Sequence, residues 1–374
     1  MRNPGEVQGI KEMTISRILW LNHRDIMHPR AGGAERTIFQ ISKRLVHRGY
    51  DVILFSTKTD VLPKMQELEG ITIYRLGGNI SSHWRNILFE NKLSSGSIVI
   101  DDMAHVIPWL SERFSSIPGT VFFRHLHRRT LSGQIPSYLV PIFTAIEKRY
   151  PLFYRKWPFV TESTQGMRDL EEMGVPSKRI VKILPGVETE KLFPKQKYND
   201  PTLVYFGGMR EYKRPYEALY LVKALNEIGY KVNLKVIGNG PTLELMKELC
   251  KKLNLTNQVV FLGRIDDNVL FDIVSRSWLN LHFSKAEGWG LSILEASACG
   301  TPTVAYEVPG VSEVISNGEN GLTSTDGDRN SLLVNAITIL NSYDKWINSS
   351  KKVSERYSWD KTTDMWEKHL NSLT

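Results

Sequence analysis

Residues 286–302 read AEGWGLSILEASACGTP, and the order of residue types along them sets the architecture. Gly288 and Gly290 make a turn whose backbone can approach whatever lies opposite. A helix starts at about Leu291, and Gly300 with Pro302 ends it. One apolar run precedes the turn at residues 279–283 and another follows the helix at 303–306. The segment therefore reads as the turn and helix between two buried strands of a parallel sheet. The unpaired N–H groups at such a helix start form an anion site at a strand's carboxyl end. Glu287 and Glu295 stand eight positions apart around it. Two carboxylates suit neutral hydroxyls and a helix amino end suits a diphosphate, which together is the polarity of a sugar nucleotide. Ser292 and Glu295 also fit the S-x-x-E capping box, in which Glu295 serves only its own helix.

The same plan recurs outward in both directions. Buried-strand runs fall at residues 203–206, 233–237 and 259–262, with helical stretches at 243–253 and 269–275. The first half alternates likewise. Residues 18–22 (ILWLN) form a strand, Gly32 and Gly33 a turn, Ile38, Ile41 and Leu45 one helix face, and residues 52–56 (VILFS) the next strand. This is a βαβ unit with glycines where open parallel sheets bind ligands, but it is not a dinucleotide fingerprint. Further strands are expected at 71–75, 98–101, 120–124 and 159–160. Two alternating halves predict two doubly wound, Rossmann-like α/β domains facing each other across a cleft. Their joint falls within residues 183–194 (ILPGVETEKLFP), where prolines and a glycine break both periodicities. The expected domains are residues 1–186, joined by a carboxyl-terminal helix over 359–374, and residues 187–358.

Composition bounds the function. A chain of 374 residues, 41% hydrophobic and 24% charged, has the length of two domains and an ordinary soluble composition. Its two cysteines, Cys250 and Cys299, fall in separate helices, which argues against a disulfide framework and for a reducing compartment. The first residues, MRNPGEVQGIKEMT, lack a secretory core, and no run approaches the roughly 18 apolar residues of a membrane span. The expected location is the cytoplasm. The net charge of +8 and isoelectric point near 9.2 favour an anionic partner: nucleotide phosphates, an acidic membrane surface or nucleic acid. Residues 122–129 (FFRHLHRR) and 148–159 (KRYPLFYRKWPF) mix cations with aromatic rings, as bilayer interfaces favour. His127, Arg128, Arg129, Arg155, Lys156 and Trp157 are the candidates there for membrane or acceptor contact. The alternative is core aromatics flanked by solvated charges. No recognition helix or zinc pattern supports nucleic acid.

The 286–302 segment resembles the E-x7-E region of family 4 of the retaining nucleotide-sugar glycosyltransferases, enzymes of the GT-B fold. The resemblance extends along nearly the whole chain: GGAER after the first strand, a strand ending in histidine, the LPGVE joint, FGGMREYKRP, VIGNGP, FLGRIDD and the closing YSWDKTTDMWEKHL stand in the family's order. It implies that Glu287 lies beside the donor sugar and that Glu295 holds the nucleotide ribose. Lys213 matches the lysine that neutralises the donor diphosphate, a task suited to a compact cation. Where the family commonly carries an arginine, this chain has Gly208, and Arg210 is the replacement cation.

The resemblance further implies that Gly33, Gly238, Gly288, Trp289, Gly290 and Leu291 bring backbone toward the donor, and that Arg264 and Ile265 contact its base through their main chain. His125 matches the histidine beside the donor sugar, a hydrogen-bonding rather than nucleophilic role. The implied reaction is transfer of a sugar from a nucleoside diphosphate sugar, with UDP or GDP as the carrier, to an acceptor hydroxyl with retained anomeric configuration. No cofactor is expected. Asp101-Asp102 and Asp266-Asp267 read as strand-end and helix-start pairs rather than a DxD metal motif, so activity without a divalent metal is expected. The acceptor is expected to be a glycan, lipid-linked at the inner face of the cell membrane, with the enzyme peripheral there. The alternatives are a sugar-nucleotide epimerase of the same fold and an inactive nucleotide-sugar binding protein.

Overall fold

The computed structural model describes residues 15–78, 81–82, 96–131 and 135–373. The amino-terminal fourteen residues, which bear on the secretory-signal expectation, lie outside that set, as does Thr374 of the expected last helix. The first sheet contains β1 (Arg17–Leu21), β2 (Asp51–Ser56), β3 (Met65–Leu68), β4 (Ile71–Arg75), β5 (Ser97–Asp102), β6 (Gly119–Phe123), β7 (Phe159–Thr161) and β8 (Ile180–Lys182), in the spatial order β3-β4-β2-β1-β5-β6-β7-β8. All its pairings are parallel except β3 with β4. Helices α1 (Gly33–His47), α2 (Ser111–Phe114), α3 (Val140–Glu147), α4 (Tyr150–Phe153) and α5 (Thr164–Glu172) connect them.

The second sheet, β11-β10-β9-β12-β13-β14, is parallel throughout. Its strands are β9 (Thr202–Phe206), β10 (Asn233–Ile237), β11 (Val259–Gly263), β12 (Leu279–His282), β13 (Thr303–Glu307) and β14 (Gly321–Thr325). They are linked by α6 (Glu217–Glu227), α7 (Leu243–Lys252), α8 (Asp267–Arg276) and α9 (Leu291–Ala298), and followed by α10 (Arg329–Leu340), α11 (Tyr343–Ser354) and α12 (Trp359–Asn371).

The central strands are apolar along their whole length because both faces are covered. β1, β6 and β9 keep nearly every residue buried, the pattern of a parallel sheet between helix layers. Both sheets also reverse direction at their first strand. The chain runs from β1 outward to β2 and β4, then returns to place β5 on β1's other side, and β9, β10, β11 and β12 repeat this. In such sheets the crevice opens at the carboxyl ends of the strands flanking the reversal. This puts Gly32 and Gly33 of one domain and Gly207 and Gly208 of the other at the cleft.

The chain crosses between domains twice, and the crossings touch. Val187 donates to the Tyr357 carbonyl at 3.2 Å and bridges to Ser358. A β-carbon on Gly186 would fall 2.3 Å from the Ser358 backbone. After the second crossing α12 packs on the first domain. Trp366 meets Trp20 and Phe122 with ring centroids 5.3 and 4.9 Å apart, Arg44 pairs with Asp360, and Arg48 pairs with Asp364 and Glu367.

Some details differ from the sequence reading. β3, β8 and β14 are additional strands. β6 stops at Phe123, so His125 follows the strand rather than extending it, and His127 opens a 3-10 turn over His127–Arg129.

Candidate functional site

Gly290 takes the left-handed conformation, φ 87°, as the residue before α9. That fixes the helix start at Leu291 and overturns the capping-box alternative: Ser292 is the second helical residue, and its hydroxyl lies 3.2 Å from His282 Nδ1. Glu295 turns out of its own helix and accepts from Arg36 of α1 at 2.8 Å. The N–H groups of Leu291 and Ser292 have no protein acceptor among the described residues. Neither do those of Gly33 and Ala34 at the start of α1, where Glu35 folds back to accept from Gly32 N–H at 2.7 Å. These two helix starts face one another. A β-carbon on Gly33 would lie 3.3 Å from Leu291 Cδ1, and one on Gly288 would lie 3.2 Å from the Arg124 carbonyl of the first domain. Two helix amino ends, each carrying partial positive charge, thus lie at the contact between the two domains.

Around Glu287 the second domain is tightly laced. Its Oε1 atom pairs with the Lys213 ammonium, accepts from Ser284 Oγ at 2.5 Å and lies 3.2 Å from His282 Nε2. The supporting loops are held by backbone contacts. Lys285 N–H donates to the Tyr212 carbonyl at 2.8 Å, and the Arg214 guanidinium donates to the carbonyls of Phe283 and Ser284. Burial alone would raise the Glu287 pKa, but Lys213 and His282 outweigh it and hold the carboxyl well below the usual range. Burial lowers the Lys213 pKa, and the Glu287 charge more than restores it. Glu287 is a carboxylate and Lys213 an ammonium at neutral pH.

Glu295 behaves in the opposite way. Burial pushes its pKa up by more than Arg36 pulls it down, and nearby Asp267 adds to the rise. Arg36 reaches across from the first domain and forks onto Asp267 at 2.7 and 2.8 Å while holding Glu295. It uses Glu295 Oε1, which leaves Oε2 to accept from a ligand.

Arg210 lies near enough to Lys213 to depress its pKa. Its Nε atom is 3.9 Å from where a β-carbon on Gly208 would sit, so its side chain folds over the position of the absent arginine. His125 follows β6 and feels the charges of Glu287, Lys213 and Arg124. Behind it Arg124 is buried between Asp102, at 2.7 Å, and Glu162, at 2.6 Å.

Gly238 and Gly240 serve a neighbour: β-carbons there would fall 1.9 Å from the Gly207 carbonyl oxygen and 2.3 Å from that of Met209. Their missing side chains let two strand-end turns stack. The Trp289 indole is buried in the second-domain core against Tyr357, so only its backbone faces the gap side. Arg264 donates to the Pro29 carbonyl of the first domain at 2.7 Å, and Ile265 packs on the second-domain core. Asp101 and Asp102 are buried partners of Ser111, Tyr154, Trp20 and Arg124, while Asp266 precedes α8.

Within the basic aromatic stretches, Trp157 and His127 require correction as surface residues. Trp157 is 7% exposed and packs in the first-domain core beside Tyr154. His127 is buried, Arg128 lies 3.8 Å from Glu147, and Arg129 forks onto Asp169 at 2.7 and 2.8 Å. Arg128 and Arg129 thus each face a buried carboxylate, Glu147 and Asp169, while Arg129 itself stays exposed. Arg155 and Lys156 remain exposed, and their backbone N–H groups donate to Glu112. His282, Ser284 and Arg36 are site residues that the sequence reading missed. The signal available for His282 was its place at the end of a buried strand.

Two family models match the chain: Glycosyltransferase Family 4 over residues 31–191 and Glycosyl transferases group 1 over residues 187–356. An uncharacterised glycosyltransferase of Methanocaldococcus jannaschii is 24% identical over 352 residues, covering 86% of this chain and 89% of its own. Among solved structures, a sucrose-phosphate synthase from Thermosynechococcus elongatus superposes with a TM-score of 0.83 at 18% identity, over 96% of this chain and 99% of its own. The Anabaena protein HepE, in complex with UDP-glucose, gives 0.77 at 17% identity, over 96% of this chain and all (100%) of its own. The two models adjoin at the crossing between domains and together run from residue 31 to residue 356, and the chain belongs to this glycosyltransferase family, of the GT-B fold.

Proposed function

We propose that the protein transfers a sugar from a nucleoside diphosphate sugar to an acceptor hydroxyl with retention at the anomeric carbon. The observation that carries this reading is the meeting of two open helix amino ends, at Gly33 and Leu291, beside a carboxylate locked to Lys213. In the reaction the bond from the anomeric carbon to the diphosphate breaks, the nucleoside diphosphate leaves with its electron pair, and the acceptor oxygen bonds to the same face while its proton passes to the departing diphosphate. Charge building on the leaving diphosphate is the main obstacle, so preorganised positive groups supply the largest catalytic effect. Lys213, Arg210 and the N–H groups of Leu291 and Ser292 have that task, without a call on a divalent metal.

Glu287, kept ionised, accepts hydrogen bonds from donor-sugar hydroxyls. Glu295 Oε2 accepts from the ribose, and the backbone at Arg264 and Ile265 meets the base. His125, neutral, bonds to the sugar near the reacting carbon. UDP-glucose in the HepE complex supports a uridine or similar carrier. The acceptor enters from the first domain and is a lipid-linked glycan at the inner membrane face. The enzyme works there as a peripheral protein; no helix among the described residues is long and apolar enough to cross a membrane.

A thermal-shift screen against UDP-, GDP- and ADP-sugars tests the donor reading, because a ligand that binds the native state alone raises the melting temperature. One UDP- or GDP-sugar is expected to stand out. No shift from any member overturns the reading.

A further inference from the structure

Beyond β6 the first domain carries a helical ridge whose outer face is exposed among the described residues. A 3-10 turn at Ser137–Leu139 runs directly into α3, and hydrogen bonds from Lys148 to Thr144 and from Leu152 to Arg149 carry the winding on into α4. Tyr138, Ile142 and Arg149 recur at helical spacing along it. Tyr138 is 73% exposed, Ile142 55% and Leu152 57%, which is a costly way to place large apolar side chains in water. The carboxyl-terminal end bears Lys148, Arg149, Arg155 and Lys156, all exposed. No carboxylate pairs with any of these four side chains among the described residues. The inner face is bolted down. Tyr150 and Tyr154 are buried and donate to the Val106 carbonyl and to Asp101 at 2.6 and 2.7 Å.

We propose that this ridge, residues 137–156, is the surface by which the enzyme docks on an anionic lipid bilayer. Rings and aliphatic groups flanked by cations match the headgroup boundary, where apolar side chains enter the acyl edge and Lys and Arg meet acidic lipid. A second copy fits poorly, because a twofold contact would press four unpaired cations against four others. The ridge is also tied to the cleft. Glu147, the last residue of α3, is buried and accepts from the backbone N–H of His127 at 2.5 Å and of Arg128 at 3.4 Å. These lie two and three residues beyond His125, so the docked face and the His125 loop form one body.

The inference rests on the lipid-linked acceptor reading and is tested apart from it. Vesicles of equal parts phosphatidylglycerol and phosphatidylcholine are expected to sediment the full chain at low salt and release it at high salt. Vesicles of phosphatidylcholine alone are expected to leave it in solution. Ile142→Glu should abolish sedimentation, and neutralising each of Arg149 and Lys156 should weaken it about fivefold. The thermal shift given by the donor should persist in every variant, showing that each is folded. Equal sedimentation of Ile142→Glu, or dimers that vanish with that substitution, overturns the docking surface. Transfer to a detergent-dispersed lipid-linked acceptor by an enzyme that ignores vesicles overturns the docking surface and leaves the acceptor reading standing.

Discussion

Glu287 and Glu295 flank one turn and one helix start, yet their surroundings differ in kind. Glu287 is held wholly by its own domain, through Lys213, Ser284 and His282. Glu295 is held from across the cleft, by Arg36 of the first domain. One carboxylate is therefore fixed whatever the domains do, and the other is complete only when they meet. The pKa directions agree: Glu287 is pulled far down by its partners, whereas burial wins at Glu295. Eight residues of sequence separate a carboxylate held within one domain from a carboxylate held across the two.

The largest expected effect is at the rigid end. Glu287→Gln should lower kcat by about 100- to 1000-fold with little change in donor affinity, the scale of removing one preorganised charge from a water-poor site. Lys213→Met should cost at least as much turnover and also lower the melting temperature, since it leaves Glu287 buried without its cation. A Glu287→Gln enzyme that keeps its turnover and loses only donor binding would show that both carboxylates do the same work, and the contrast would fail.

The cross-cleft end should respond through binding. Arg36→Gln and Glu295→Gln should each weaken the donor Kd about tenfold, the value of one charge-assisted hydrogen bond. Their double mutant should cost little more than either alone. Asp267→Asn, which removes only the second prong of the Arg36 fork, should have a smaller effect. Tighter donor binding in Arg36→Gln would reverse the assignment, making Arg36 a plug over Glu295 rather than its support. Calorimetric titration with the donor found by thermal shift decides between them.

The same contrast explains what was legible in the sequence. Buried parallel strands are nearly continuous apolar runs, so β1, β9, β10, β12 and β13 stood out. β3 is an edge strand with half its residues exposed, and β14 reads GLTST, too polar for that signal. The Glu287 end was legible because its anchors belong to local motifs of one domain, although His282 and Ser284 carry no pattern of their own. The Arg36–Glu295 pair spans 259 residues and left no mark in either segment. The S-x-x-E spacing there misdirected, because a left-handed Gly290 set the helix start too early for Ser292 to cap it. The rings of the 148–159 stretch misdirected similarly. Tyr150, Tyr154 and Trp157 point inward, and the exposed apolar groups lie in residues 137–152, whose cations begin only at Lys148.

The smallest expected effect concerns pH, and it separates the fixed end from its surroundings. Burial, helped by His127, Lys213 and Arg124 and opposed by Glu287, lowers the His125 pKa to about 3. The unfolded chain takes up this proton near the ordinary histidine value of about 6.5. As pH falls below that value the unfolded state binds more protons than the native one, so His125 subtracts stability progressively down to about pH 3 and has no effect above 6.5. With its pKa lowered that far, the folded-state ring is neutral at and above the ordinary histidine value. The pH profile of kcat should therefore show no acid limb near 6.5 from His125, and its imidazole C–H resonance should hold the neutral shift from pH 8 to about 4.5. An acid limb near 6.5 that disappears in His125→Gln would mean that solvent reaches the ring freely. His125 would then belong with Glu295, to the half of the site assembled only on closure, rather than to the permanent electrostatic field of Glu287 and Lys213.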